Sequence, residues 1–181
     1  MSRARRAAFT ALFIAISVVL TRFASLRVAI AGVEGIRIGL GSLPNIMAGM
    51  LMGPLYGGIS GAAADVIGFM LSPIGGYMPH FTLTSALMGT LPGLVMTAFR
   101  RRGSASRLPE GYQIAASVTV GVIAVSWGLT PYFLHTLFGL PWAVMMPPRI
   151  VAALIEIPVY SFIIKAVSVS YVRLAANRGP A

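Results

Sequence analysis

The placement of the few charged residues constrains this chain more than any other feature of its sequence. Long apolar stretches are separated by arginine-rich segments, and these alternate with segments that carry no charge. Residues 72–81 and 132–148 contain no Lys, Arg, Asp or Glu. The basic clusters are formed by Arg3, Arg5, Arg6, Arg100, Arg101, Arg102, Arg107, Lys165, Arg173 and Arg178. This alternation is typical of a protein that crosses a membrane several times.

Composition also indicates a bilayer environment. Hydrophobic residues make up 57% of the sequence and charged residues 10%, with a mean hydropathy of +0.85. The net charge of +10 does not indicate nucleic-acid binding, because the arginines flank apolar stretches without interleaved aromatic residues. The absence of cysteine excludes both a disulfide framework and a thiolate metal site.

The apolar stretches predict an all-α bundle of six transmembrane helices, forming a single domain over residues 1–181. A helix of about 20 residues crosses the hydrocarbon core. The predicted helices cover about 7–22, 42–52, 55–71, 81–99, 112–137 and 147–171. If basic clusters mark the cytoplasmic side, both termini lie inside and residues 23–41 form a long outer loop. We expect this loop either to act as a lid over a site or to be merely structural.

Small residues recur at every fourth position from Gly49 to Gly61. This spacing predicts close packing of the second and third helices within one bundle, and contact with a second subunit is the alternative. A weaker stripe of small residues lies on one face of the first helix, at Ala7, Ala11 and Ala15.

Ionisable residues at membrane depth are a stronger signal, because each costs about 2.5 kcal/mol or more at a helix centre. Asp65 lies within the third helix and Glu156 within the sixth. Arg149 precedes Glu156 by about two turns, so we expect each to meet another helix or a ligand. Asp65 either contacts a ligand or forms a buried hydrogen bond. The sequence offers three partners for such a bond: Asn45, Thr82 and Thr84.

The segment 72–84, between the third and fourth helices, is irregular, aromatic and uncharged. Irregular backbone at membrane depth is tolerated where it is buried in protein or lines a cavity, so this segment predicts the wall of an outward-facing pocket. Tyr77 and Phe81 either stack on a flat heterocycle or anchor the chain at the interface. His80 is expected to stack or to hydrogen-bond rather than to bind a metal.

Motifs for energy coupling and catalysis are missing from the sequence. It has no G-x-x-x-x-G-K-[ST] loop for a nucleotide. Two histidines and four acids assemble no persuasive catalytic site. We therefore predict a protein that is not an enzyme, holds no cofactor or metal, and depends on another protein for its motor.

Four motifs resemble the substrate-binding S component of energy-coupling factor (ECF) vitamin transporters. They are R-I-G-L-G-S-L-P-N-I-M-A-G from Arg37, G-P-L-Y-G from Gly53, A-D-V-I-G from Ala64, and G-Y-M-P-H-F-T-L-T-S-A-L-M-G from Gly76. The last is similar to the Y-F-P-G-F-T-L-[ST] stretch of the folate-specific branch. Met78 and His80 depart from that pattern.

The resemblance implies a protein of the prokaryotic cytoplasmic membrane that captures folate or a related pterin vitamin from outside. One transmembrane coupling protein and two ATPase subunits would then drive uptake. The alanines Ala7, Ala11 and Ala15 match the family's Ala-x-x-x-Ala motif, which contacts the coupling protein. An S component for riboflavin, pantothenate or a queuosine precursor is the alternative, followed by a membrane scaffold without a ligand.

For a pterin ligand, the resemblance and the residue chemistry give one set of candidate contacts. Asp65 would accept hydrogen bonds from the pterin amino group and the adjacent ring N–H. Aromatic rings of Tyr77, Phe81 or Trp127 would stack on the ligand, and Arg27, Arg37 or Arg149 would attract its carboxylates. The candidate substrate-binding residues are Arg37, Asn45, Asp65, Tyr77, His80, Phe81, Thr82 and Arg149.

Overall fold

The structure is a computed structural model that describes residues 3–23, 25–30, 33–73, 76–102 and 110–177. For 25–30, 33–38 and 169–177 it describes the backbone alone. The elements are α1 (Arg3–Phe23), β1 (Ser25–Ile30), β2 (Val33–Gly39), α2 (Leu43–Met52), α3 (Pro54–Leu71), α4 (Pro79–Arg101), α5 (Gly111–Phe138) and α6 (Trp142–Asn177). The predicted helical membrane bundle is confirmed for the described residues.

Five of the helices are long and apolar enough to cross a membrane, and α2 is the short one. At 10 residues, α2 is about 15 Å long, roughly half of a hydrocarbon core. The last helix, α6, begins five residues before its predicted start and contains Pro147, Pro148 and Pro158. Membrane helices accommodate such prolines when neighbouring groups or water satisfy the freed carbonyls.

The segment that was predicted as an outer loop contains an antiparallel β-hairpin. Its register pairs Ser25 with Gly39 and Ile30 with Val33, with one irregularity after Val28. The sequence reason is a run of β-branched residues, which favour extended backbone: Val28, Ile30, Val33, Ile36 and Ile38. A 3-10 turn, Leu40–Ser42, then leads from the hairpin into α2.

The short helix α2 lies at the centre of the bundle. Every residue from Leu43 to Met50 is buried, and α2 packs against α1, α3 and α4. A helix that is apolar all round belongs in a core rather than on a surface. The main buried cluster joins α2 to α4, α5 and α6 through Ile46, Met96, Ile114, Val118 and Tyr160.

Glycines allow the backbones of α2, α3 and α4 to touch. A Cβ added at Gly49 would lie 2.0 Å from the carbonyl oxygen of Gly89, and one at Gly57 would lie 2.4 Å from the same oxygen. Both distances are far inside van der Waals contact. The predicted role of the four-residue spacing in packing within the bundle is therefore confirmed, with α4 as the third partner.

The substitution Gly49→Ala tests this contact. We expect it to lower the thermal unfolding midpoint of the detergent-purified protein by about 5 °C, because the new methyl group meets backbone that cannot move aside. Gly111→Ala is the matched control, since its Cβ would meet only the flexible Lys165 side chain, at 3.5 Å from Nζ. Equal midpoints for the two variants would contradict the packing role.

Candidate ligand-binding site

A cavity of about 410 Å³ lies among the helices. Its size falls within the range of about 300–1,000 Å³ that is typical of sites for small organic ligands. Its lining comes from α1, α2, α3, α4, α5, α6, the end of β2 and residues 76–78. Charged and polar side chains in that lining include Arg22, Asn45, Asp65, Ser126, Arg149 and Glu156. It is therefore a polar cavity inside an otherwise apolar bundle.

A buried hydrogen-bond network joins α1, α2 and α3 beside the cavity. Asn45 Nδ2 donates to Ser17 Oγ at 3.0 Å, and its Oδ1 accepts from Ser60 Oγ at 2.8 Å. Ser17 Oγ in turn donates to the carbonyl oxygen of Gly41 at 2.7 Å. The predicted residue Asn45 does line the cavity. These bonds nevertheless occupy its carbonyl oxygen and one amide hydrogen, so its main observed role is to fix the helices.

The carboxylate of Asp65 is held by two hydroxyl groups of α4. Oδ2 accepts from Thr82 Oγ1 at 2.7 Å, and Oδ1 accepts from Ser85 Oγ at 3.4 Å. The Tyr77 hydroxyl joins the chain at 2.9 Å from Thr82 Oγ1. The structure thus brings together three predicted site residues, and Thr82 is one of the three hydrogen-bond partners that the sequence had offered. A carboxylate has about four acceptor positions, so Asp65 retains capacity for a ligand in the cavity.

Aromatic rings form part of the cavity wall. Tyr77 packs on Phe69 with ring centroids 5.3 Å apart, and both residues line the cavity together with Phe81 and Phe138. Tyr77 and Phe81 thus lie where a stacking role requires them. Phe69 and Phe138 were not among the predicted contacts, because a Phe in an apolar helix carries no distinguishing sequence signal.

His80 and Trp127 lie away from the described cavity lining. The His80 ring is exposed and packs at a tilt of 57° against Phe133 of α5, with centroids 4.9 Å apart. Consecutive helical residues point about 100° apart, so His80 turns away where its neighbour Phe81 turns inward. Trp127 packs against the apolar core cluster instead. The structure therefore does not bring either ring to the cavity.

Of two arginines that were predicted to contact the ligand, only Arg149 has a side chain that the structure describes. Arg149 is only 7% exposed and lines the cavity, and its Nη1 donates to the carbonyl oxygen of Ser126 at 3.3 Å. Arg37 lies on β2, opposite Arg27 in the hairpin register. The side chain of Arg37 lies outside the described part of the structure.

The end of the hairpin is attached to α6 at the cavity edge. Glu156 Oε1 accepts from the backbone N–H of Gly39 at 3.2 Å. The Tyr160 hydroxyl, one turn further along α6, donates to the carbonyl oxygen of the same residue. The sequence identified Glu156 as an acid at membrane depth but not as a site residue. Its hydrogen-bond partner is a backbone group far away in the sequence, and such a contact leaves no local sequence pattern.

Arg22, near the end of α1, is a cavity residue that sequence reasoning missed. Its Nη2 donates to the carbonyl oxygen of Ser72 at 3.2 Å. Its Nε is buried and has no hydrogen-bond partner among the described residues. A basic residue beside an apolar stretch normally marks the edge of the membrane. Arg22 was therefore not predicted to line the cavity.

The charges that line the cavity are separated along its length. Ser72, which Arg22 contacts, follows Asp65 by seven residues, which is about 10 Å along α3 towards the hairpin end of the bundle. Arg149 precedes Glu156 by the same spacing in α6, again on the side of the hairpin end. On both α3 and α6, the carboxylate is therefore about two helical turns from the level of the nearest cavity guanidinium group.

The alanine stripe of α1 lies on the outside of the bundle. Ala7, Ala11 and Ala15 are all exposed. Ala11 and Ala15 also border an almost wholly apolar groove, which Ile67 of α3 borders from the other side. The three alanines therefore present an open, small-residue surface.

These features define a multi-pass membrane protein with an internal polar cavity of substrate size. A family model described as "ECF-type riboflavin transporter, S component" matches residues 1–172. The chain therefore belongs to the S components of ECF-type transporters.

Individual relatives agree with this family. The protein named Folate transporter FolT, from Clostridium novyi (strain NT), is 34% identical over 158 residues, which cover 86% of this chain and 83% of the relative. A crystal structure of FolT bound with folic acid superposes with a TM-score of 0.69 at 26% identity, covering 86% of this chain and 88% of that one. The S component for biotin from an ECF-type ABC transporter shares the fold, with a TM-score of 0.62 at 17% identity over 90% and 94% of the chains.

The substitution Thr82→Val tests the hydrogen-bonded support of Asp65. We expect it to lower the stability of the ligand-free protein by about 2 kcal/mol, because a half-buried carboxylate loses its shorter hydrogen bond. The measurement is thermal unfolding in detergent. Thr97→Val is the control on the same helix, where the hydroxyl bonds only to the Gly93 carbonyl within α4. A control variant that is destabilised as much would contradict the role of Thr82.

Proposed function

We propose that this protein captures folate or a related pterin vitamin at the outer face of a prokaryotic cytoplasmic membrane. The observation that carries the proposal is the charge separation in the cavity, where the Asp65 carboxylate lies about two helical turns from the level of Arg22, and Glu156 about two turns from Arg149. The names of the relatives, a folate transporter and a FolT structure bound with folic acid, support the same ligand.

A folate molecule has the complementary distribution of groups. Its pterin ring carries an amino group and an adjacent ring N–H, which can both donate to the Asp65 carboxylate. Its glutamate end carries two carboxylates, which would form charge-assisted hydrogen bonds with Arg149 and Arg22. Tyr77 and Phe81 would stack on the flat ring. Of the other predicted contacts, Asn45 and Thr82 would support this pocket, and Arg37 stays a contact predicted from the sequence.

The cavity charges also distinguish folate from the other vitamins. Riboflavin, which the family description names, has no group that is anionic at neutral pH, so it would form no ion pair with Arg149 or Arg22. Pantothenate has a carboxylate but no planar ring for the aromatic wall. A scaffold without a ligand gives no reason for an internal polar cavity of this size.

The basic residues support an inside location for both termini. Arg6 of α1 lies over the ring of Tyr56, near the start of α3, at 5.9 Å from the centroid. Arg100 and Arg101 end α4, and Lys165 lies beside the start of α5. These groups share the end of the bundle opposite the hairpin. The positive-inside rule then assigns this end to the cytoplasm and the hairpin to the outside.

We further propose that the chain acts as one domain and as a binding subunit rather than an enzyme. A transmembrane coupling protein and two ATPase subunits would supply the energy for release inside. The exposed face of Ala7, Ala11 and Ala15 supports close docking of a helix of the coupling protein, because small side chains let two membrane helices approach closely.

The first experiment is a titration of the detergent-purified protein with folic acid, followed by intrinsic tryptophan fluorescence. We expect saturable quenching, since Trp127 adjoins cavity residue Ser126 and only one other tryptophan is present. Asp65→Asn should weaken binding by about 100-fold, because a carboxylate that accepts two hydrogen bonds becomes an amide that repels one donor.

Glu110→Gln provides the control for a lost acidic charge, since Glu110 is exposed at the start of α5. Riboflavin and pantothenate are titrated in parallel. Saturable binding of either one, with no response to folic acid, would refute the folate assignment and keep the S-component function. Unchanged affinity in Asp65→Asn would remove the carboxylate from pterin recognition.

The substitution Ala11→Leu tests the docking face. We expect it to prevent co-purification with the coupling protein and the two ATPases while leaving the binding of folic acid in detergent intact, because the larger side chain holds the helices apart. Ala143→Leu is the control at another exposed alanine, at the start of α6. Recovery of the whole complex with the Ala11 variant would exclude this face from the interface.

A further inference from the structure

We propose that Pro131 and the π-helical turn before it position Arg149 for binding an anionic group of the ligand. This inference rests on the proposed function, because it assigns to Arg149 the carboxylate end of a folate. It identifies Pro131 as a positioning residue that does not touch the ligand itself. Its effect would pass through one backbone carbonyl group, that of Ser126.

The helix α5 changes its hydrogen-bond pattern in the middle. It is an α-helix over Gly111–Val122, a π-helix over Ile123–Leu129 and an α-helix again over Thr130–Phe138. The N–H of Thr130 donates to the carbonyl oxygen of Val125, five residues earlier. The next bond of that pattern would join the N–H of residue 131 to the carbonyl oxygen of Ser126. Residue 131 is a proline, which has no N–H to donate.

The Ser126 carbonyl oxygen is instead taken by the cavity arginine. Arg149 Nη1 donates to it at 3.3 Å, and both residues line the cavity. A backbone carbonyl is a neutral acceptor, so this bond orients the guanidinium group and itself adds no negative charge beside it. A carboxylate in the same place would orient the guanidinium and neutralise it, which would weaken its attraction for an anionic ligand.

The π-helical turn determines which carbonyl the proline frees. In an uninterrupted α-helix, Pro131 would free the carbonyl four residues earlier, that of Trp127. Trp127 packs against the apolar core, whereas Ser126 lines the cavity. Adjacent helical positions differ by about 100° in direction. The shift by one residue therefore places the free acceptor at the cavity wall, in reach of Arg149.

Pro131→Ala tests the proposal, because it restores the missing N–H with little change in volume at a buried position. The N–H would compete for the Ser126 carbonyl and weaken the bond by which that carbonyl orients the guanidinium group. We expect the Kd for folic acid to rise about 10-fold, which corresponds to about 1.4 kcal/mol. For folic acid diamide, in which both glutamate carboxylates are carboxamides, we expect the Kd to change less than twofold.

Two further variants separate positioning from a general structural effect. Pro158→Ala removes another proline from the inside of a helix, at an exposed position of α6 away from the cavity lining, and should change neither Kd. In an Arg149→Gln background, Pro131→Ala should have no further effect on folic acid, since the group that it positions is gone. Pro131→Ser, which restores the same N–H, should reproduce the effect of Pro131→Ala.

The outcomes distinguish this proposal from the proposed function. Equal losses of affinity for folic acid and its diamide in Pro131→Ala would overturn the proposal, because they would indicate a change in the whole cavity. An undiminished loss in the Arg149→Gln background would also overturn it. A wild-type protein that binds neither compound would refute the folate function and this inference with it. Binding of both compounds by the wild type with no selectivity between them would refute only the role of Arg149 as an anion site.

Discussion

Backbone contact at glycine holds this bundle together, and the position of the cavity depends on it. Gly49, Gly57 and Gly89 bring α2, α3 and α4 so close that no side chain fits between them. The central helix α2 spans only about half of a hydrocarbon core. A full-length helix would extend beyond the first residue of α2. That space is available instead to the end of the hairpin and to the cavity. Tight packing in one half of the molecule thus leaves room for a ligand in the other.

Hydrogen bonds between polar side chains join separate helices of the bundle. Ser17, Asn45 and Ser60 connect three helices, and Asp65 is linked to α4 through Thr82. In a bilayer such groups have no bulk water to hydrogen-bond with, so they are satisfied by hydrogen bonds to the protein or to a ligand. The same constraint that makes polar residues costly therefore fixes the walls of the cavity before any ligand arrives.

The sequence predicted the helices well because their signal is local, whereas much of the site depends on contacts between distant residues. Apolar length and charge placement are sufficient to indicate six helices, and acids at membrane depth identify Asp65. The contact of Glu156 with the backbone of Gly39 spans 117 residues and leaves no local pattern. Arg22 resembled an ordinary membrane flank. His80 was assigned to the cavity from its segment alone, although the helical rotation at that point directs it outwards.

Two hydrogen bonds in the described part of the structure attach the hairpin to α6 through main-chain atoms on the hairpin side. Glu156 and Tyr160 bind the N–H and the carbonyl oxygen of Gly39, two groups that are present whatever the side chains of the strands. These two bonds do not depend on the side chains of the strands. Substitutions in the strands therefore leave both of these links between the hairpin and α6 available.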